Sequence, residues 1–320
     1  MESSSPTLAS NSSALRSGCD EWLDTIFLVL DGLLSGVIVS GNGVACFIFL
    51  KNTRFRSCFM NTFLVSLAVA DILMAVFVMP GEIIFCTGCS RPVSEHCWLI
   101  GSVRYFVFAA AKLNLLAITY DRYTAVMSPL KYNAKINFKK VILILTMVWT
   151  FPMILPLSRL VWWMRLPKNQ ASNTDRIFNS GLVFSLVIFP VAVLLVANLR
   201  IVLEIRKQHR RVGTMNSASM TETCSSINNA RNDHENRLKT SRQAGRKGTT
   251  ACVLVVFIFV MCWFPRGLYN VFRLFGKEEG PLLNKLGLFF LFVQSAINPF
   301  VYSFYRADFR RALIKLLRCR

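Results

Sequence analysis

Seven long apolar runs constrain this sequence more than any other feature. They lie at roughly residues 25–50, 60–84, 96–127, 138–160, 179–206, 248–272 and 282–303, with short polar segments between them. A bilayer's hydrocarbon core takes about 20 residues of α-helix to cross. Within lipid each backbone polar group must find its partner inside the protein, so such runs are expected to be helices. Composition agrees, because a soluble chain with 53% hydrophobic residues would lack polar surface to cover itself. The expected fold is all-α: a seven-transmembrane helix bundle embedded in a lipid bilayer.

Charge then sets the orientation. The net charge of +20 would suit a nucleic-acid binder, but the basic residues fall in loops on alternate sides of the runs, so no nucleic-acid partner is expected. Lys51, Arg54 and Arg56 follow the first run, and Lys131, Lys135, Lys139 and Lys140 follow the third. The linker from Arg206 to Lys247 is densely basic, and the tail carries Arg306, Arg310, Arg311, Lys315, Arg318 and Arg320. An odd number of spans puts all of these on one face. The N-terminal segment carries Glu2, Asp20, Glu21 and Asp24 against Arg16, so the N-terminus is expected outside and the C-terminus inside. No basic n-region with a short apolar stretch precedes the first run, which then serves as its own insertion signal.

The chain is expected to divide into an extracellular tail over 1–24, a seven-helix domain over 25–303, and an amphipathic helix with cytoplasmic tail over 304–320. Within the domain, the polar loop 207–247 reads as disordered in part, with ends that can prolong helices five and six. In YRADFRRALIKLL, residues 305–317, Phe309, Leu313, Leu316 and Leu317 fall at helical spacing between basic residues, as in a helix lying on a membrane surface. Cys319 beyond it is a palmitoylation candidate or a free thiol. Asn11-Ser12-Ser13 on the outer tail is a glycosylation sequon.

Polar residues inside membrane helices are costly and usually functional. Here they recur almost once per helix: Asn42 within GNGV, Asp71 within LAVAD, Asp121-Arg122-Tyr123 closing the third run, Trp149 in the fourth and Pro190 in the fifth. The sixth holds Cys262-Trp263-Phe264-Pro265, and the seventh closes on Asn298-Pro299-Phe300-Val301-Tyr302. Trp149 and Pro190 read first as packing and kink residues, and Asn42, Asp71 and Asn298 as a polar cluster gluing helices together. The ordered set resembles the rhodopsin-like (class A) G-protein-coupled receptors from about residue 25 to 318. DRYTAVMSPLKY is closest to the amine and adenosine receptor branch.

That resemblance implies a receptor that binds a small extracellular ligand between the outer helix ends and activates heterotrimeric G proteins. It assigns no catalytic role or cofactor. Asp71, Ser295 and Asn298 would line a sodium-ion pocket, although Ala111 stands where many relatives have a serine ligand. Trp263 would lie under the ligand, with Phe259 a turn below, and Pro265 and Pro299 would weaken helices six and seven. Arg122 would be held by Asp121 at rest and released toward the G protein. Tyr123 and Tyr302 complete the coupling motifs.

Several positions depart from the pattern. Gly245 replaces an acidic partner of Arg122, which implies raised basal signalling. Asn198 replaces a tyrosine. Lys112 replaces an isoleucine; it either reaches Asp71 in place of sodium, snorkels into a wet interior, or is neutral. Cys97 matches the family's disulfide cysteine, but the second outer loop, between Trp162 and Asn179, has none. The outer cysteines Cys19, Cys86, Cys89 and Cys97 allow three pairings, with Cys97 joined to Cys19 or to Cys86 or Cys89.

The ligand end departs furthest. Arg104 stands where amine receptors carry an aspartate, Leu182 and Leu186 replace helix-five serines, and Phe292 occupies the opsins' retinal-lysine position. A classical amine ligand and retinal are not expected. Glu82, Arg104, Arg266 and Asp31 are the charges expected to face the outer cavity, with Phe108, Trp98, Tyr105, Tyr269 and Phe292 as aromatic lining. Arg104 and Arg266 together would hold an acidic or zwitterionic ligand, unless Arg104 simply pairs with Glu82. Two alternatives remain: an orphan or chemosensory receptor with constitutive signalling, and a seven-helix transporter. The chain shows no internal repeat of the kind transporters carry. Enzymatic activity is not expected, since His96, His209 and His234 lack metal-ligand spacing.

Overall fold

The computed structural model describes residues 21–52, 59–85, 97–167, 189–219, 260–272, 281–305 and 307–318, with isolated residues between 170 and 185, between 254 and 258, and at 275. All of its regular structure among these residues is helical. Helix α1 is Glu21–Lys51. Helix α2 runs through Phe59–Leu73, a π turn at Met74–Val78, and Met79–Phe85. Helix α3 is Cys97–Met127. Helix α4 combines Phe138–Thr150, a 3₁₀ turn at Phe151–Met153, and Ile154–Arg165. Helix α5 is Phe189–Ser219, α6 occupies 260–272, α7 is Pro281–Tyr305 and α8 is Ala307–Arg318.

The elements follow the apolar runs, with edges that differ informatively. Helix α1 already begins at Glu21, so the last four residues of the expected tail are helical. Helix α5 continues to Ser219, thirteen residues into the loop expected to be partly disordered from 207. Helix α4 extends to Arg165 and brings Arg159 well inside the helix. Among the described residues, α1, α2, α3 and α4 each contain a stretch long and apolar enough to cross a bilayer. Helix α7 has the length, but Asn284, Lys285, Gln294, Ser295 and Asn298 dilute its apolar character.

Burial is inverted relative to a soluble protein. Leu28, Val29, Leu33, Phe47 and Leu50 of α1 are exposed, as are Leu143, Met147, Ile154, Leu157 and Val161 of α4. These faces suit lipid tails. The polar residues Asn42, Asp71, Asn114, Asp121 and Asn298 are buried among the helices instead. Helix α3 lies centrally, packed against α2, α4 and α5, while α1 packs against α2 and α7.

Local irregularities have physical causes. Pro299 has no N–H, so the carbonyl of Ser295, four residues earlier, loses its helical partner. The Asn42 amide donates to that carbonyl at 3.1 Å, joining α1 to α7. Gly41 permits the approach, because a Cβ there would stand 3.2 Å from the Pro299 ring. The π turn just before Pro80 inserts a residue into α2 and re-aims everything beyond it, Glu82 included.

Helix α8 departs from a simple surface helix. Phe309 is 1% exposed and packs on Phe49, with ring centroids 5.2 Å apart. Ala312, Leu313 and Leu316 also pack against the core, whereas Leu317 faces outward. Its apolar side is therefore shared between the bundle and the surroundings.

Candidate functional site

Three layers of polar chemistry stack along the bundle. In the outer layer, beyond the π turn of α2, Glu82 meets Arg104 of α3 with Nη1 2.5 Å from Oε1. Arg104 therefore has a protein counter-ion, and both groups are largely buried. The Arg104 guanidinium also lies 5.4 Å from the Tyr105 ring centroid. From α6, Arg266 donates to Asn284 of α7 at 2.5 Å and lies 4.9 Å from the Tyr269 ring centroid. Glu82, Arg104, Tyr105 and Tyr269 are its charged and hydroxyl-bearing neighbours.

Arg159 was absent from the sequence-based set. It is 4% exposed, stands 5.6 Å from the Tyr105 ring centroid, and donates to Ser102 at 3.3 Å. An arginine inside an apolar run was the available signal, but the run's expected end at residue 160 placed it at the boundary. At the rim, Lys285 is ion-paired with Asp24, joining α7 to α1. Asp31 is buried, and its Oδ1 has no hydrogen-bond partner among the described residues.

The aromatic residues divide. Tyr105 and Tyr269 accompany the arginines. Phe292, expected on the cavity wall, is 1% exposed and belongs to the hydrophobic core. Phe108 is likewise buried and sets its ring edge-on to Trp263 at 5.3 Å.

Trp263 forms the floor. Its indole N–H donates to Gln294 of α7 at 3.0 Å, and Lys112 of α3 lies over its ring at 3.4 Å. Of the alternatives for Lys112, the structure thus places its amine nitrogen on Trp263 and not on Asp71. The partner is a π face, which attracts a cation without supplying a countercharge.

The middle layer is rich in acceptors. Asp71 accepts from Asn298 at 2.7 Å through one oxygen, and Ser295 adjoins the same carboxyl. Its other oxygen, with Asn42 Oδ1 and Asn114 Oδ1, is buried without a hydrogen-bond partner among the described residues. A buried carboxylate oxygen without a donor among the described residues suits a hard cation or ordered water. Ala111, buried nearby on α3, offers no side-chain oxygen.

At the inner end of α3, the fully buried Asp121 accepts from Arg122 Nη2 at 2.6 Å and Nε at 3.1 Å. Tyr132, in a helical turn at Tyr132–Lys135, donates to the other Asp121 oxygen at 2.7 Å. Tyr132 is a further residue absent from the sequence-based set. Tyr123 is half-buried beside them. Trp149 donates to Ser66 at 3.0 Å and packs on Phe106, as a packing residue would. Asn198 turns its amide back to Leu194 of its own helix.

Several expected sites lie outside the described residues: Asn11, Cys19, Cys86, Cys89, Leu182, Leu186, Gly245, Phe259 and Cys319. For Cys97, Trp98 and Tyr302 only the backbone is described, and of Pro265 the structure records a partly buried place in α6.

The comparisons agree on one family. The model of the seven-transmembrane receptors of the rhodopsin family matches residues 41–302. The D(1A) dopamine receptor of Xenopus laevis is 30% identical over 336 residues, covering 92% of this chain and 74% of that receptor. The histamine H2 receptor of Cavia porcellus is 29% identical, covering 89% of this chain and 77% of its own length. The human histamine H2 receptor is 28% identical, with coverage of 92% and 80%. With its helices, buried polar residues and inner Asp121-Arg122 pair arranged as described, this chain belongs to the rhodopsin family of seven-transmembrane receptors and is a multi-pass plasma-membrane G-protein-coupled receptor, not an enzyme.

Proposed function

We propose that this receptor responds to a small acidic or zwitterionic ligand held in its outer layer. The supporting observation is the charge around Tyr105 and Tyr269. Arg104, Arg159 and Arg266 gather there, and the carboxylate of Glu82 contacts Arg104. The relatives named for dopamine and histamine bind amines, but Arg104 is paired with Glu82, and Arg159 and Arg266 beside that pair leave an excess of positive charge among the described side chains that disfavours a lone cation. An acid would join Arg104 or Arg266 by charge-assisted bonds. In a zwitterion, the amine would take Glu82.

On this reading the ligand shifts an equilibrium between two conformations, and Asp71 with Ser295 and Asn298 holds a sodium ion in the resting one. Arg122, freed from Asp121, then engages the G protein. Alanine at Arg104 or at Arg266 should each lower the potency of an acidic agonist by about 10- to 100-fold, the equivalent of one charge-assisted contact. G-protein activation would be recorded across a panel of acids, amines and no added ligand, with receptor display held constant. Unchanged acid potency in both variants rules the reading out. High activation without ligand, indifferent to every acid, would favour a constitutively signalling receptor.

A further inference from the structure

The inner end of α4 sets lysines on the face that meets lipid. The membrane-crossing stretch of this helix begins at Phe138. Asn137 caps it, its side chain accepting from the backbone N–H of Lys140 at 2.9 Å. Phe138, Ile142, Leu143 and Met147 are exposed along one side, whereas Val141 and Val148 are buried on the other. At about 100° per residue, Lys139 falls in the middle of the exposed arc, one turn before Leu143 and opposite Val148. Lys139 is itself exposed and has no acceptor among the described residues.

Two further lysines flank it. Lys140 Nζ donates to the backbone carbonyl of Lys135 at 2.9 Å, and Lys135 Nζ donates to Ser128 at 3.1 Å. Both acceptors are neutral. Three positive charges thus stand at the hydrocarbon edge, paired with no carboxylate among the described residues. Lys135 also closes the short helical turn whose first residue, Tyr132, donates to Asp121 at 2.7 Å. One end of that turn is tied to the inner switch and the other to the lysines.

We propose that this corner is a docking site for the headgroup of an anionic phospholipid of the cytoplasmic leaflet, with a multiply phosphorylated inositol the best match to three charges. The phosphates meet Lys135, Lys139 and Lys140, and the acyl chains lie along Leu143 and Met147. A lipid is the occupant because the lysines and the lipid-facing stripe are continuous, and a soluble phosphate would use only the lysines. By bridging Lys135 to α4, the headgroup steadies the turn with Tyr132 on Asp121 and so weights the resting conformation. That last step rests on the reading that Arg122 leaves Asp121 when the receptor couples. The docking itself does not.

The test uses the purified full-length receptor. Fluorescent phosphatidylinositol bisphosphate, titrated into receptor in uncharged detergent, should bind about fivefold more weakly to Lys139→Gln. The triple variant Lys135→Gln, Lys139→Gln, Lys140→Gln should lose about 100-fold. Arg318→Gln, exposed on α8, should bind as the unaltered receptor does. Soluble inositol trisphosphate should compete at least about tenfold less well than the lipid. In phosphatidylcholine nanodiscs, adding the lipid should lower basal G-protein activation by up to about fivefold relative to Lys139→Gln in the same membrane, a comparison that cancels lipid effects on the G protein. Equal losses in Lys139→Gln and Arg318→Gln would mean diffuse attraction to a basic face, and unchanged affinity in the triple variant would mean no site. Either result overturns the docking. Equal competition by the soluble headgroup overturns the lipid as occupant. Binding as expected with basal activation unmoved overturns the link to Tyr132 and leaves the docking standing.

Discussion

The amine nitrogen of Lys112 stands 3.4 Å from the centre of the Trp263 indole ring. The same indole donates to Gln294 and receives the edge of Phe108, so α3, α6 and α7 meet on one side chain. A helix-six tryptophan held this way cannot move without leaving a desolvated amine behind. The contact therefore weights the conformation described here over one in which α6 has swung away.

Lys112→Met tests that weighting. An N–H···π contact from a buried amine is worth up to about 1 kcal/mol, which shifts a two-state equilibrium by up to roughly fivefold. Basal G-protein activation, normalised to surface receptor, should rise by about that factor. A basal level equal to that of the unaltered receptor would show that the contact does not favour either conformation.

Phe309 offers a separate test of how α8 is anchored. Its ring is buried against Phe49 of α1, and truncating a core phenylalanine typically costs about 3–5 kcal/mol. In detergent, Phe309→Ala should melt well below the unaltered receptor, whereas Leu317→Ala, on the exposed side, should melt within about a degree of it. Equal losses from the two would mean that α8 rides on the bilayer alone.

The buried acceptors without donors in the middle layer, Asp71 Oδ1 first among them, make the sodium reading measurable. Exchanging sodium for N-methylglucamine at constant ionic strength should lower the melting temperature by about 2–5 °C, as expected for an ion present at roughly tenfold its Kd. Asp71→Asn should melt identically in the two salts. Ala111→Ser, by adding an oxygen on α3, should widen the difference. Identical melting of the unaltered receptor in both salts would leave water as the partner of these oxygens.

How far the sequence carries depends on the kind of information each feature holds. The helices were legible because apolar length is a one-dimensional property, whereas Asn42 was legible only as a member of a polar cluster and its bond to the carbonyl that Pro299 leaves unpaired needed the fold. Glu82 with Arg104 was legible as a possible pair, since opposite charges in neighbouring outer helices invite it. Arg159 was not, because its depth depends on where α4 ends and its aim on the turn at Phe151–Met153. The choice of Lys112 for Trp263 over Asp71 turns on which way a flexible side chain runs, and spacing along a helix does not specify that. Phe292 was assigned to a wall by its level in α7, but the packing of its neighbours closes over it.

Tyr132 gives the inner switch a component that the Asp121-Arg122-Tyr123 triplet does not contain. Its hydroxyl occupies the Asp121 oxygen that Arg122 leaves open, at 2.7 Å. Asp121 is wholly buried, so removing that donor strands a carboxylate oxygen, at a cost of about 1–3 kcal/mol. If Arg122 must leave Asp121 for the receptor to couple, the cost falls on the resting conformation, and Tyr132→Phe should raise basal activation by about 5- to 100-fold. Asp121→Asn should raise it too, by loosening Arg122. The two changes act on one carboxylate, so the double variant should signal no more than Asp121→Asn alone. Basal activation measured in all four receptors decides the matter: fully additive effects would place the action of Tyr132 somewhere other than Asp121.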